Sequence, residues 1–421
     1  MRAATWATNR DINAAWLSWE RATRIADALS AEDQDRTAMR IAPRTMLCGT
    51  AFRVHVDVAG TRFEELRHLC AAAGDKASLA IAMSGLVADH AYQGRVREAS
   101  RLASEAWALI ESVGDPALTV GLSFAPIYSK MESGEHCDML RWSQRVIDLA
   151  DGDPAKGDFI FGSPLALAIT TRGIGRYCFG HPGWQDDLLH GIAMARRSDS
   201  LTYAGAVTYA YGVGVLAGVL RPNDSAMSEI EDALNTAERS ADDFALAHAQ
   251  VTLGAALVHR PTAAERKRGE KLLASVRDVF LRERHHLSDL PLVDVYLARE
   301  TARRGDLDRA IRRMRATLED AVGKGQLLAW GFTATAVLVE TLLDRGADGD
   351  LAEAAAAIER LAAAPTDDDF VLRDVWLLRL RALLARAHGD AAAYADLRDR
   401  YRDMARTFGF EGHLAWAEAM P

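Results

Sequence analysis

The stretch Ala88-Asp89-His90-Ala91-Tyr92-Gln93-Gly94-Arg95-Val96-Arg97-Glu98-Ala99 decides the fold. It predicts the end of one helix, a tight glycine turn and the start of a second helix. Arg299-Glu300-Thr301-Ala302-Arg303-Arg304-Gly305-Asp306-Leu307-Asp308-Arg309-Ala310 has the same form, and Ala385-Arg386-Ala387-His388-Gly389-Asp390 has its core. Ala99 and Ala310 each follow the glycine by five residues, where a small side chain lets paired helices approach closely.

Working outward, Gly94, Gly134, Gly180, the Arg221-Pro222-Asn223 turn, Arg260-Pro261, Gly305, Gly349 and Gly389 each separate two helical patterns, 39 to 46 residues apart. A period near 42 is the signature of stacked helical hairpins, with helices longer than in the compact tetratricopeptide repeat of about 34 residues. Second turns fall at Val113-Gly114-Asp115-Pro116, at Ala150-Asp151-Gly152-Asp153-Pro154 and at Ala364-Pro365-Thr366-Asp367, with Asp115 as an N-cap and Pro116 in the first helical position. No stretch alternates apolar and polar residues long enough to argue for a sheet. The expectation is an all-α, right-handed superhelical solenoid of about nine tetratricopeptide-like pairs. It forms one continuous array over residues 1–421, with 1–30 an incomplete first repeat and 408–421 a C-terminal tail.

The two helices of a pair differ. First helices, such as Leu201–Leu220 and Gln326–Leu343, are almost uniformly apolar, whereas second helices, such as Arg95–Glu111 and Asp306–Glu319, carry a charged face. In stacks of this type the first helices line the concave surface, which makes Tyr203, Tyr209, Tyr211 and Trp330 candidate partner contacts; the alternative is that they are core. Leu201–Leu220 has no charged residue and the spacing Gly214-x-x-x-Gly218, yet it holds Thr202, Thr208 and four glycines. A helix buried on most sides of a stack reads the same way, and we expect that rather than a membrane span. At the other end, Asp11–Leu29 reads as the second half of a hairpin whose first half is missing. Trp6, Trp16 and Trp19 either fold over that open end or dock it onto another module or a second copy of the chain.

The formal charge of −9 disfavours direct nucleic-acid binding. Between Arg260 and Arg315, 15 Lys/Arg face 9 Asp/Glu, either a partner patch or a solvated set of outer helices. Cys48, Cys70, Cys137 and Cys178 form no CxxC pair and read as free thiols of a reducing cytoplasm. No apolar signal core follows Met1, so a cytoplasmic location is expected.

The sequence has no Gly-x-x-x-x-Gly-Lys-Ser/Thr loop to cradle phosphates, no Gly-x-Ser-x-Gly elbow to present a nucleophile and no His-Glu-x-x-His pair to hold zinc. His285, His286 and Asp289 fall short of the three or four convergent ligands a metal needs, and read as a solvated loop or helix end. Asp367-Asp368-Asp369 suits the N-terminus of the helix that follows it. No catalytic, metal or cofactor residue is therefore assigned, and no cofactor is expected.

Met39-Arg40-Ile41-Ala42-Pro43-Arg44-Thr45-Met46-Leu47-Cys48 and Phe408-Gly409-Phe410-Glu411-Gly412-His413-Leu414-Ala415-Trp416-Ala417-Glu418-Ala419-Met420-Pro421 go beyond a generic repeat. Both resemble the helical tail of an actinobacterial family of signalling proteins that combine a class III adenylate cyclase-like domain, an AAA-type ATPase module and a long tetratricopeptide-like array, some with a LuxR-type helix-turn-helix. The resemblance covers the array only; the cyclase aspartates, the ATPase loop and the helix-turn-helix have no counterpart here. It implies a non-catalytic protein-interaction or regulatory module in cytoplasmic signalling or transcriptional regulation. Its partner would be a protein or peptide, such as an ATPase or cyclase module, and it could dimerise through the N-terminal end. The alternative is an effector-sensing array that takes a small molecule or peptide in its concave groove.

Overall fold

The computed structural model describes residues 7, 8, 11–56, 62–240 and 242–420. Among them the chain is helical throughout, with no strand. A first helix, α1 (Ile12–Asp27), precedes nine hairpins. These are α2 (Arg36–Thr50) with α3 (Phe63–Ala73), α4 (Lys76–Tyr92) with α5 (Val96–Val113), and the broken α6 (Pro116–Leu122) and α7 (Phe124–Ser133) with α8 (His136–Ala150). Next come α9 (Pro164–Cys178) with α10 (Trp184–Ala195), α11 (Ser200–Val207, a π turn at Thr208–Gly212, then Val213–Leu216) with α12 (Asp224–Glu238), and α13 (Asp243–Leu257) with α14 (Ala263–Glu283). The last three pair α15 (Leu290–Arg303) with α16 (Leu307–Lys324), α17 (Gly331–Arg345) with α18 (Asp350–Ala362), and α19 (Val371–Ala387) with α20 (Ala391–Phe408), followed by α21 (Glu411–Glu418). The eight turns of the series from Gly94 to Gly389 all fall inside hairpins, and the second turns fall between them. Gly94 and Gly305 lie one residue past a C-cap with φ of 73° and 93°, a region where a Cβ costs about 1 kcal/mol. Asp115 caps α6, accepting from Ala117 N at 2.8 Å, with Pro116 in the first position.

Some boundaries differ from the sequence reading. Pro43 lies buried inside an unbroken α2. Pro154 opens no helix; Ser163 and Pro164 do that for α9. Gln326–Trp330 is a turn before α17 rather than its first residues. Gly214 packs beneath Leu220 of its own segment, while Gly218 lies against the backbone of Gly412. No helix among the described residues is long and apolar enough to cross a membrane.

The stretches that prompted the resemblance both fasten the array. Arg44, fully buried in α2, places Nη2 2.7 Å from Asp27 Oδ1 of α1 and 3.1 Å from Glu65 Oε1 of α3, and Arg40 reaches both carboxylates as well. At the other end His413 of α21 donates its backbone N–H to Gly218 O, and its ring lies 2.9 Å from both Ala217 O and the Tyr401 hydroxyl. Trp416 stacks on the Arg379 guanidinium of α19.

That second contact belongs to a general feature. The array winds tightly enough to rest on itself, through hydrogen bonds between residues 189 to 230 apart. Arg53 pairs with Asp242, Gln93 with Arg284 O, Glu132 with Gln326, Trp184 with Phe408 O and Cys137 N with Asp367. Asp367 thereby caps α8 of the adjacent superhelical turn, not its own helix as expected.

The tryptophans of the N-terminal end face inward. Trp19 is buried with Ala15 against Leu47, and Trp16 is half-buried beside it; Trp6 lies outside the described residues. They share the stripe of Ile12, Ala15 and Ala26, which packs onto α2. The opposite face of α1 presents Leu17 and Ile25, 65% and 59% exposed, so any docking at this end belongs to those residues.

A pair of glycines tests the self-contact. Both are helical, where alanine normally adds up to about 1 kcal/mol. Gly323 has open space around a Cβ, so Gly323→Ala should raise stability. A Cβ on Gly412 would sit 2.6 Å from Gly218 O, so Gly412→Ala should lower it by about 1–3 kcal/mol. Urea unfolding of the two variants reads the opposite signs.

Candidate functional site

The first helices are buried on nearly all sides, so the concave face is filled by the next turn of the array rather than open as a groove. Their ends meet near the axis. Tyr92 closes α4, Tyr128 and Glu132 come from α7, Tyr209 from the π turn of α11, and His248 from α13. His285, His286, Ser288 and Asp289 form the loop before α15, and Gln326 and Trp330 the turn before α17.

Aromatic packing assembles the cluster. The Tyr92 ring stacks on Tyr128 at 4.7 Å and meets Phe244 edge-on at 4.9 Å, and Tyr209 lies 5.8 Å from Tyr128. The Tyr92 and Tyr209 hydroxyls are 3.3 Å apart, as are the Tyr128 hydroxyl and Ser288 Oγ. At the centre, Glu132 Oε2 accepts from Gln326 Nε2 at 2.7 Å and Trp330 Nε1 at 3.1 Å. Glu132 Oε1 and Gln326 Oε1 have no partner. His286 Nδ1 lies 3.3 Å from Asp289 Oδ2 without the alignment of a hydrogen bond.

The electrostatics follow from burial. Glu132 is wholly enclosed, which together with the nearby Asp289 carboxylate outweighs its donors and raises its pKa to about 8. Burial raises Asp289 to about 6. Burial drives His248, His285 and His286 down, so the imidazoles are neutral at pH 7. Two cavities of about 30 Å³ each flank Glu132 and Trp330, and each has room for a group the size of one or two waters. One is bounded by Tyr128, Tyr209, His248 and Asp289, the other by Ile174, His136, Phe332 and Leu372, and both linings are mostly apolar.

Two larger hollows open on the rim. A cleft of about 540 Å³ lies between the Arg221–Asp224 turn, the His259–Pro261 turn and α21. A groove of about 210 Å³ runs beside it over Leu188, Leu189, Ile192, Tyr211 and Leu220. They share Arg221, Asn223 and Glu411.

Of the residues singled out in the sequence, the structure brings Tyr209 and Trp330 together at the axis, both buried, and sets Tyr211, half-buried, in the rim groove. Tyr203 is buried elsewhere, its hydroxyl donating to Glu229 Oε1 at 2.6 Å and close to Asp232 Oδ2. In this arrangement Tyr203, Tyr209 and Trp330 are buried and offer no surface to a partner. His285 and His286 are buried at the axis, not in a solvated loop. No group of metal-ligand type occurs among the described residues. The basic stretch 260–315 is largely paired, for example Arg260 with Asp224 and Glu265, Arg277 with Asp294 and Arg304 with Glu270. The sequence reading missed Glu132, Gln326 and the rim. A charged residue inside the otherwise buried Phe124–Ser133 segment was the available signal for the first.

No protein-family model and no curated protein matches the sequence. Among solved structures, the chain is similar to a Rap protein crystallised in complex with competence and sporulation factor, at 13% identity, covering 98% of this chain and 100% of that one, with a TM-score of 0.40. It is also similar to yeast Tom70, at 13% identity over 97% and 96% of the two chains, with a TM-score of 0.37. Both are too distant to transfer a site or a function.

Glu132 gives the axis a pH signature. Between its unfolded value near 4.5 and its folded value near 8, the folded state binds the extra proton, so stability falls as pH rises. Seven buried or half-buried imidazoles with lowered pKa work in the opposite sense up to about pH 7, and cancel when wild type is compared with Glu132→Gln. From about pH 6.5 to 8, wild type should lose about 1 kcal/mol per pH unit relative to the variant. Chemical denaturation across that range measures it.

Proposed function

We propose that the chain is a non-catalytic scaffold that binds a protein partner through the rim rather than through a concave groove. The observation that carries the reading is the cleft and groove lying side by side, with Arg221, Asn223 and Glu411 lining both. Its size suits a peptide segment. Leu189 is 60% exposed at its edge, and Arg221 is exposed with no ion pair among the described residues. The fitting occupant is an extended segment of a partner that seats an apolar side chain by Leu189 and Tyr211 and a carboxylate by Arg221. Contacts across 189 to 230 residues support reading 1–421 as one continuous array, which makes the hollow a fixed shape and lowers the ordering cost of binding.

The setting we infer is cytoplasmic signalling or transcriptional regulation, with an ATPase or cyclase module as partner. Its support is the resemblance of Met39–Cys48 and Phe408–Pro421, and these stretches serve the array itself. A homodimer through the N-terminal end would use Leu17 and Ile25, and Leu17→Ser with Ile25→Ser is the variant that would dissolve it.

The rim reading is tested with Leu189→Asp and Arg221→Glu combined. Both residues are exposed, so the melting temperature should stay within a few degrees while partners retained by cross-linked wild type are lost by tenfold or more. Undiminished retention would place the partner elsewhere.

A further inference from the structure

We infer that the rim groove is a binding site for a free α-amino acid with a large aliphatic side chain, its carboxylate on Arg221, its ammonium on Glu411 and its side chain over Leu189 and Tyr211. The inference rests on the rim reading, because the ligand fills the groove there given to the partner's apolar side chain and would compete with it. Its test needs no partner, so the two can fail separately.

The first argument is space. The groove holds about 210 Å³ against about 30 Å³ for either axial void, and Leu189 stands exposed at its edge. Leu188, Leu189 and Ile192 come from α10, Tyr211 from the π turn and Leu220 from the segment after α11, so the lining is mostly apolar. A branched aliphatic side chain gains by leaving water for such a lining.

The second argument is charge. Arg221 and Glu411 both line the groove, both are exposed, and neither forms an ion pair with the other or with any described residue. Charges beside them are matched: Arg260 holds Asp224 and Glu265 in the adjoining cleft, and Arg196 holds Glu229 near Tyr211. Glu418, also unpaired among the described residues, lines the cleft and not the groove. One cation and one anion are therefore left over the groove. A monocarboxylate would answer Arg221 and meet like charge at Glu411, and an amine the reverse; a zwitterion answers both.

The third argument is placement. Glu411 donates its backbone N–H to Val219 O at 2.9 Å, two residues before Arg221, so acid and base stand on tied backbone. Asn223 donates its own N–H to Arg221 O at 2.8 Å and spends its side-chain oxygen on Ala226 N, 2.9 Å away, as the cap of α12. That leaves the Asn223 amide nitrogen with two donors in the same turn as Arg221, a set that suits a carboxylate. Glu411 offers only acceptors, which suit an ammonium.

The full chain is titrated separately with L-leucine, L-leucinamide, N-acetyl-L-leucine and glycine, followed through the NMR signals of the ligand. The expected result is saturable binding of L-leucine. Leucinamide lacks the carboxylate, N-acetyl-leucine the ammonium and glycine the side chain, and each should bind at least about fivefold more weakly. Glu411→Gln, a change at an exposed position, should weaken L-leucine by about threefold or more and leave N-acetyl-leucine unchanged or tighter. Any of the three other probes binding as tightly as L-leucine, undiminished L-leucine binding in Glu411→Gln, or no saturation up to the solubility limit of L-leucine would each overturn the proposal while leaving the partner test untouched.

Discussion

The array depends on lying against itself. An open stack of hairpins buries each repeat only on its neighbours in sequence. Here the winding is close enough that the turn at Gly134 rests on Leu328 and the turn at Gly180 on Phe408. Those glycines have φ of 80° and 66°, which the helix end requires. The same missing Cβ leaves space for the next superhelical turn: a Cβ would stand 2.7 Å from Leu328 Cβ and 2.4 Å from Phe408 Cε1. One chemical feature, absence of a side chain, therefore ends the helix and admits the contact. First helices are enclosed by both kinds of neighbour, which is why they are apolar all round, while second helices keep a charged face to water.

Local physics was legible in the sequence and self-contact was not. Glycine, proline and cap residues mark turns by steric rules that act within a few residues, and these marked the turns of eight of the nine hairpins. The apolar character of Leu201–Leu220 showed burial but not by what. Contacts between residues some 200 apart leave no pattern in one sequence, so Tyr209 and Trp330 read as candidates for an open groove when they are packed at a closed axis. Trp16 and Trp19 were read either as folded over the open end or as a docking face; their spacing sets them on the inner stripe of α1 and leaves Leu17 and Ile25 outside.

The polar centre is the exception to an otherwise apolar axis. Burying Glu132 costs free energy if it is ionised, and raising its pKa toward 8 is how the fold limits that cost near neutral pH. The donors it does have, from Gln326 and Trp330, lie 194 and 198 residues away. They reach Glu132 only when the superhelical turns sit in this register. Apolar side chains at these positions would pack in several registers with similar energy, whereas a carboxyl with two matched donors favours one.

Axis and rim are joined through one short segment. Val213 and Leu216 border the axial cavities, Ala217 to Val219 accept the hydrogen bonds that hold α21, and Arg221 and Asn223 border the rim cleft. The π turn at Thr208–Gly212 immediately precedes it and Gly218 bends it with φ of 73°. Four residues separate Leu216 from Arg221, and their backbone is tied to α21 at Gly218 O, Val219 O and Ala217 O. Residues 213–223 therefore border both the axial cavities and the rim cleft, and three hydrogen bonds from α21 fix their place between the two.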